Sequence, residues 1–420
     1  MPGEEAMGKQ TEEEKPALRI VMPVVHTSPL ATPGSADAGG LNVTVTKVAG
    51  ALAARGHRVD IVTRHFAPNM PYVEEVSPGI RVFYLPAGPA CMVAKSAAEC
   101  LIAPFTREFQ NWWENYGEGV NIVHAHHWFA GVAAAPVARR AGVPLVASYH
   151  SVAAPEGAGL ELGEPAESPG RAAGEAEIAR TADLIVAVSQ AEAQMITDHY
   201  GQPRGPVKVV HPGVDTKLFH PATGTEIPAQ VMQVTEGRPY IFFAARLQPL
   251  KAPELAIRAL AEIPVAARPL LVLAGEASSD FAGYEQDLQD LAAAVGVAGD
   301  TRMISPLSRQ NLAVMLAHAK LLISPSYSET FGIINLEASA SGIPVVAWRS
   351  SGIPESVRDG VTGTLCRTRE PAEWAQAVVR YLEDPELWAQ HAAGGRQFAL
   401  AHTWDKVARE YIAAYESVVS

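Results

Sequence analysis

The chain has 420 residues, 48% of them hydrophobic and 19% charged, with a formal net charge of −12. That length is more than one compact core serves, so two domains are expected, and the composition is that of a globular chain and excludes a disordered one. The acidic balance argues against nucleic acid or an anionic membrane as the main partner, because phosphate backbones and headgroups call for clustered Lys and Arg.

Residues 1–16, beginning "MPGEEAMGKQTEEEK", are acidic and carry no apolar run of the kind a secretory signal needs, so they read as a flexible tail. No later stretch reaches the length that crosses a bilayer. Cys91, Cys100 and Cys366 form neither a CxxC pair nor a metal spacing, which fits a reducing compartment; a cytoplasmic location is expected.

From Ala17 onward short β-branched runs alternate with longer amphipathic ones. "LRIVMPVV" reads as a buried strand, "GSADAGGLN" as a Gly-rich loop, "NVTVTKVAGALAARGH" as a helix and "RVDIVTR" as the next strand. "NIVHAHH", "PLVASYH", "DLIVAVS" and "VKVVHPG" continue the series. Strands without polar alternation, spaced by helices, predict a parallel sheet covered on both faces. The rhythm breaks over residues 211–235, rich in Pro, Gly and Thr, and restarts with "PYIFFAAR", "PLLVLAGE", "TRMIS", "LLISPS" and "IPVVAW", again with helices between. The expectation is therefore α/β, with one Rossmann-like domain over 17–215, a second over 216–400 and a site in the cleft between them. Residues 401–420 read as a final helix whose Trp404 and Tyr411 need a surface to pack on.

The candidate chemistry lies at the ends of strands. Gly39 and Gly40 would let backbone approach a phosphate or sugar, although a tight strand-to-helix turn needs the same residues. His124, His126 and His127 in "HAHHW" invite a zinc reading, but no carboxylate at ligand spacing accompanies them, and no metal site is expected. His150 would face the cleft at the end of "PLVASYH" and could bond a sugar hydroxyl. Arg246 and Lys251 in "ARLQPLK" follow a strand and could neutralise a leaving diphosphate. In "SYSETFGIINLE", Glu329 and Glu337 flank a helix start, where unpaired N–H groups and the helix dipole favour an anion. Two acceptors on either side of a diphosphate suit a nucleotide sugar, with Glu329 toward the sugar and Glu337 toward the ribose. The competing reading makes Glu329 a first-turn dipole residue and Glu337 a solvated helix position.

The E-x7-E element of "SETFGIINLE", together with "RLQPLKAP" and "HPGVD", resembles the retaining glycosyltransferases of family 4, which have the GT-B fold; the likeness runs from about Leu18 to the end. Within that family, "HTSPLATPGSADAGGLNV", "PSYSETFG" and "VRDGVTGTL" are similar to the branch that glycosylates D-inositol 3-phosphate in mycothiol biosynthesis. The resemblance implies net retention without a protein nucleophile, and Glu329, His150, Arg246 and Lys251 as catalytic residues. It implies a donor site of Gly39, Gly40, Arg246, Lys251, Glu329, Thr330, Phe331, Gly332, Ile333 and Glu337. A nucleoside-diphosphate sugar, UDP- or GDP-linked, would be the donor substrate, with no cofactor required and no essential divalent metal. It also implies a final helix crossing back onto the first domain, small-molecule partners only, and allows a homodimer.

On the acceptor side the resemblance implies Asn42, Lys95, His127, Ser151 and Arg171. Lys95 and Arg171 match the branch's phosphate-holding Lys and Arg, whereas His127 and Ser151 stand where it has Tyr and Thr, Thr44 replaces an aromatic residue, and Glu156 replaces a Lys. An acid gained and a cation lost disfavour a dianion, so an acceptor with one carboxylate is better tolerated. Three readings follow: transfer of N-acetylglucosamine from its UDP derivative to inositol 3-phosphate; a secondary-metabolism relative with another donor and acceptor, as in the lincosamide S-glycosyltransferase that uses GDP-octose and ergothioneine; or an inactive nucleotide-sugar sensor.

Overall fold

A computed structural model describes residues 16–31, 33, 38–166, 168–224 and 226–419; all but the last residue of the expected N-terminal tail lies outside these. The apolar runs of the first half form β1 (Arg19–Pro23), β2 (Arg58–Arg64), β3 (Val73–Ser77), β4 (Ile80–Leu85), β5 (Ile122–His126), β6 (Leu145–Ser148), β7 (Leu184–Ala187) and β8 (Val207–Val209). They assemble in the order β3-β4-β2-β1-β5-β6-β7-β8. Those of the second half form β9 (Tyr240–Ala244), β10 (Leu270–Ala274), β11 (Thr301–Ile304), β12 (Leu321–Ser324), β13 (Val345–Trp348) and β14 (Gly363–Cys366), in the order β11-β10-β9-β12-β13-β14. Both are doubly wound α/β sheets with helices on their faces. The architecture is GT-B.

One departure concerns the first sheet. The expected rhythm holds neither β3 nor β4, and β3 pairs antiparallel with β4. All five residues of β3 are exposed, so the strand has no buried face to write into the sequence as an apolar run.

Strand order sets where ligands can bind. In the first sheet the winding reverses between β1 and β5, and in the second between β9 and β12. Loops at the carboxyl ends of such neighbouring strands diverge and leave a crevice. The loops after β1 and β5 therefore face those after β9 and β12.

The chain passes between the two sheets at two adjacent places. Val214 forms a bridge with Thr403, and its N–H bonds the carbonyl of His402 at 2.8 Å. Beyond this crossing the helix Trp404–Glu416 lies on the helix Gly40–Ala53, burying Trp404, Val407, Tyr411 and Tyr415 among Leu18, Ile20, Val48 and Leu52. Tyr415 reaches past this layer to the sheet. Its hydroxyl lies 2.7 Å from His124 Nδ1, while His124 Nε2 is 3.0 Å from Ser148 Oγ, whose proton goes to the Val186 carbonyl at 2.8 Å. With the Ser148 proton committed, Nε2 must donate and Nδ1 must accept from Tyr415. Tyr415→Phe should leave a buried imidazole nitrogen unpaired and cost about 1–3 kcal/mol; the check is a lower urea midpoint at unchanged m-value.

Candidate active site

The cleft encloses a cavity of ≈ 240 Å³. One wall is built by three loops of the second domain. After β9 the chain runs through Arg246 and turns at Lys251; after β12 it passes Ser328, Glu329 and Thr330 into the helix Ile333–Ala340; and the helix Arg309–His318 begins at the rim. Gly332 caps the central helix with φ 87°, a left-handed conformation in which a side chain is strained, and a Cβ there would sit 2.6 Å from Asn335 Nδ2.

Each acid on this wall holds a cation. Glu329 Oε1 accepts from Lys251 Nζ at 2.8 Å and from Ser326 Oγ at 3.0 Å. Glu337, only 2% exposed, takes both arms of the Arg309 guanidinium, one of them at 3.2 Å. A solvated helix position is thereby excluded for Glu337. Sequence reasoning missed Arg309; its one signal was a basic residue directly after an N-cap serine, Ser308, in the loop following a strand.

The facing wall belongs to the first domain. Gly39 and Gly40 open the helix Gly40–Ala53, and a Cβ on either would come within van der Waals reach of Arg246 Nε (3.8 Å) or Ile333 Cδ1 (3.7 Å) across the cleft. Thr330 Oγ1 donates to the His150 carbonyl at 3.0 Å, joining the two walls. Glu329, His150, Arg246, Lys251, Gly39, Gly40, Thr330, Phe331, Gly332, Ile333, Glu337, Asn42, Lys95, His127 and Ser151 all line the one cavity.

Three acceptor-side residues stand differently from expectation. Asn42 lines the cavity, but its amide is committed to the loop: Oδ1 accepts from the Gly39 N–H at 2.9 Å, while Nδ2 donates to Thr27 Oγ1 and the Ser28 carbonyl. Arg171 is 0% exposed and lies behind the lining, donating to Ser151 Oγ at 2.9 Å and to Glu175 at 2.7 Å. Glu156 is exposed and does not line this cavity. The acid that does reach this corner is Glu164, which the sequence reading passed over. Its Oε2 accepts from Lys95 Nζ at 2.8 Å and Arg171 Nη1 at 3.2 Å, with Arg246 Nη2 4.0 Å from Oε1. Burial alone would push its carboxyl up; Lys95, Arg171 and Arg246 outweigh that and hold it well below the usual range.

The histidines form a neutral floor. His127 and His150 follow β5 and β6 with φ of 72° and 63°, where non-glycine residues store strain, a feature common at functional sites. His150 Nε2 is 2.8 Å from His126 Nδ1, and burial lowers the His150 pKa to about 3. Burial, reinforced by nearby Lys95, likewise keeps His26 and His127 uncharged. Among the described residues no group of three or more His, Cys, Asp or Glu is arranged to hold a metal, and no helix is long and apolar enough to cross a membrane.

A two-domain α/β cleft of this topology, with paired acids and bases lining its walls, has the architecture of a GT-B glycosyltransferase. Residues 38–218 match glycosyltransferase family 4 and residues 227–398 match the glycosyl transferases of group 1. The D-inositol 3-phosphate glycosyltransferase of Nocardiopsis dassonvillei is 36% identical over 95% of this chain and 94% of its own, and that of Nocardia farcinica is 37% identical over 94% and 89%. The chain belongs to this family of glycosyltransferases. Among solved structures, sucrose-phosphate synthase from Thermosynechococcus elongatus superposes with a TM-score of 0.85 at 27% identity, covering 96% of this chain and 99% of that one. HepE of Anabaena, solved with UDP and glucose, shares the fold at a TM-score of 0.74 and 20% identity over 96% of this chain and 100% of its own.

Under the cavity, Glu192 is buried with Oε2 accepting from the Val188 N–H at 2.7 Å and Oε1 without a partner among the described residues. Burial raises its pKa from 4.5 to about 8. The folded state therefore binds this proton more tightly than the unfolded chain. The stability linked to it is complete below about pH 4.5 and is lost as pH rises through about 8, at up to about 1.4 kcal/mol per pH unit. Glu192→Gln should remove this slope, measured as unfolding free energy against pH for both proteins.

Proposed function

We propose that the protein transfers a sugar, with retention at the anomeric carbon, from a nucleoside-diphosphate sugar to a hydroxyl of a small anionic acceptor. UDP-N-acetylglucosamine and D-inositol 3-phosphate are the first candidates, taken from the family's resemblance and the relatives' names. The second domain, over 216–400, would bind the donor, and the first, over 17–215, the acceptor. The observation that carries the reading is the pair of ion pairs, Lys251–Glu329 and Arg309–Glu337, on either side of one helix start.

In this reading the helix start beginning at Gly332 takes the diphosphate, with Arg246 and Lys251 supplying positive charge as the anomeric C–O bond breaks and the electron pair leaves on the diphosphate oxygen. Glu329 holds the sugar hydroxyls and Glu337 the ribose. The acceptor oxygen forms the new bond on the face the diphosphate leaves, and its proton passes to the departing phosphate. No side chain has to be a nucleophile, and rate comes from positioning and electrostatics. His150, neutral and fixed by the Thr330 and His126 contacts, offers a hydrogen bond to the sugar without adding charge.

Incubation with the two candidate substrates, followed by NMR of the anomeric proton, tests donor, acceptor and stereochemistry together; an inverted product would end the retaining assignment. Thermal-shift titration with UDP and GDP reports the base, because a ligand bound only to the folded state raises its stability. Glu329→Gln should lower kcat by about 100-fold or more while the protein stays folded. Unchanged turnover would remove Glu329 from the mechanism.

A further inference from the structure

The "HPGVD" run leaves the first domain after β8, and its histidine meets an acid of the second domain. Glu355, on the short helix Ile353–Ser356, accepts at Oε2 from the Gln190 N–H and from His211 Nε2, both at 2.8 Å, and at Oε1 from the Ala191 N–H at 2.9 Å. Gln190 and Ala191 open the first-domain helix Gln190–Tyr200, whose cap Ser189 accepts with its side chain from the Glu192 N–H. The first two amides of a helix have no partner within it, and the helix dipole favours a negative charge there. A carboxylate of the other domain meets both needs, through charge-assisted bonds about twice as strong as neutral ones. Burial alone would raise the Glu355 pKa; His211 and the two amides outweigh it and hold the carboxyl below its usual range.

The same short helix is joined to the loop that carries Glu329. The Gly352 N–H donates to the Glu329 carbonyl at 2.8 Å, and a Cβ on Gly352 would meet the Thr330 carbonyl at 2.0 Å, so only a glycine allows this approach. At the other end, Ser356 Oγ accepts from Asn335 Nδ2 at 3.1 Å, on the first turn of the helix Ile333–Ala340. His211 closes the circuit: its ring stacks on Phe331, with centroids 5.5 Å apart and 27° between planes. Residues 329–332 are therefore tied to the first domain from behind, by Glu355 and His211, as well as through the bond from Thr330 to His150. Neither Glu355, His211 nor Gly352 lines the cavity. Their influence on a bound substrate has to pass through the Glu329 loop.

We propose that Glu355 is a positioning residue: it fixes the Glu329 loop against the first-domain wall, and sugar transfer depends on that placement. This rests on the glycosyltransferase reading and adds to it a residue outside the cavity. In the full-length protein, with UDP-N-acetylglucosamine and D-inositol 3-phosphate as substrates, Glu355→Gln should lower kcat roughly 10- to 100-fold, the effect of a reacting group misplaced by about an ångström. The donor KM should stay nearly unchanged. Because Glu355 acts through Glu329, the two losses should not multiply, and Glu355→Gln should cost little more in the Glu329→Gln background. Glu355→Asp keeps the charge and shortens the reach by one methylene; it should show the same pattern and serves where Glu355→Gln does not fold. Hydrogen exchange reads the coupling without any substrate: either variant should speed exchange at Gln190 and Ala191 and also over residues 328–332. Glu373 accepts from the N–H groups of Arg367 and Thr368 and does not line the cavity, which makes it the matched control. Glu373→Gln should leave kcat and the exchange of residues 328–332 as they are. Unchanged kcat in a protein that transfers sugar, losses that multiply in full, faster exchange confined to residues 190–191, or an equal effect of Glu373→Gln each overturns the proposal. No transfer by the unaltered protein, with the exchange pattern as expected, counts against the glycosyltransferase reading alone.

Discussion

Charge in this cleft is held in pairs, and the rest of the site depends on that pairing. Lys251 with Glu329, Arg309 with Glu337, and Lys95 and Arg171 with Glu164 each bring a base from one segment to an acid on another. Removing one partner of such a pair strands a charge in a poorly hydrated place, which costs more than the pair contributes. A substrate must therefore exchange partners with the protein instead of adding to it. On the second-domain wall the exchange would suit the proposed donor's diphosphate and sugar hydroxyls, because the cation and the acid each find a counterpart on the same molecule.

The histidines of the cleft add no charge to these pairs. Five buried or half-buried imidazoles, those of His26, His124, His126, His127 and His150, are all held neutral, chiefly by burial. In this floor His124, His126 and His150 make hydrogen bonds, whereas neither ring nitrogen of His127 has a partner among the described residues. Through His124 and Tyr415 that floor is tied to the last helix of the chain, which has crossed from the second domain to lie on the first. The backbone crossing at Val214 and Thr403 and the contact of Thr330 with His150 link the same two domains. Apolar packing joins them as well: Val188 packs into the core of the second domain and Ile333 against that of the first.

Sequence patterning located the loop that carries Glu329 because every signal there was local. A buried strand, a loop and a helix start lie within a dozen residues around Glu329, and strand order alone directs that loop to the crevice. The antiparallel strand Val73–Ser77 escaped because all of its residues are exposed, leaving no periodic apolar signal. Asn42 illustrates the limit from the other direction: it stands at the cavity, yet every polar atom of its side chain is engaged by the loop it caps. Its position was legible, whereas its role was not.

The alternation of apolar and amphipathic runs determined by itself that two doubly wound domains would face each other across a cleft, and the spacing of Glu329 and Glu337 placed both acids at one helix start. Only the tertiary structure decided which cations those acids hold and which acid enters the acceptor corner. Arg309 lies 28 positions from Glu337 and Lys95 lies 69 from Glu164. Pairings over such separations depend on how strands are ordered and loops turned, and no periodicity along the chain encodes them. Glu156 and Glu164 are eight residues apart and equally acidic in sequence; a glycine at φ 135° and two backbone hydrogen bonds decide that the second enters the cavity while the first stays in solvent.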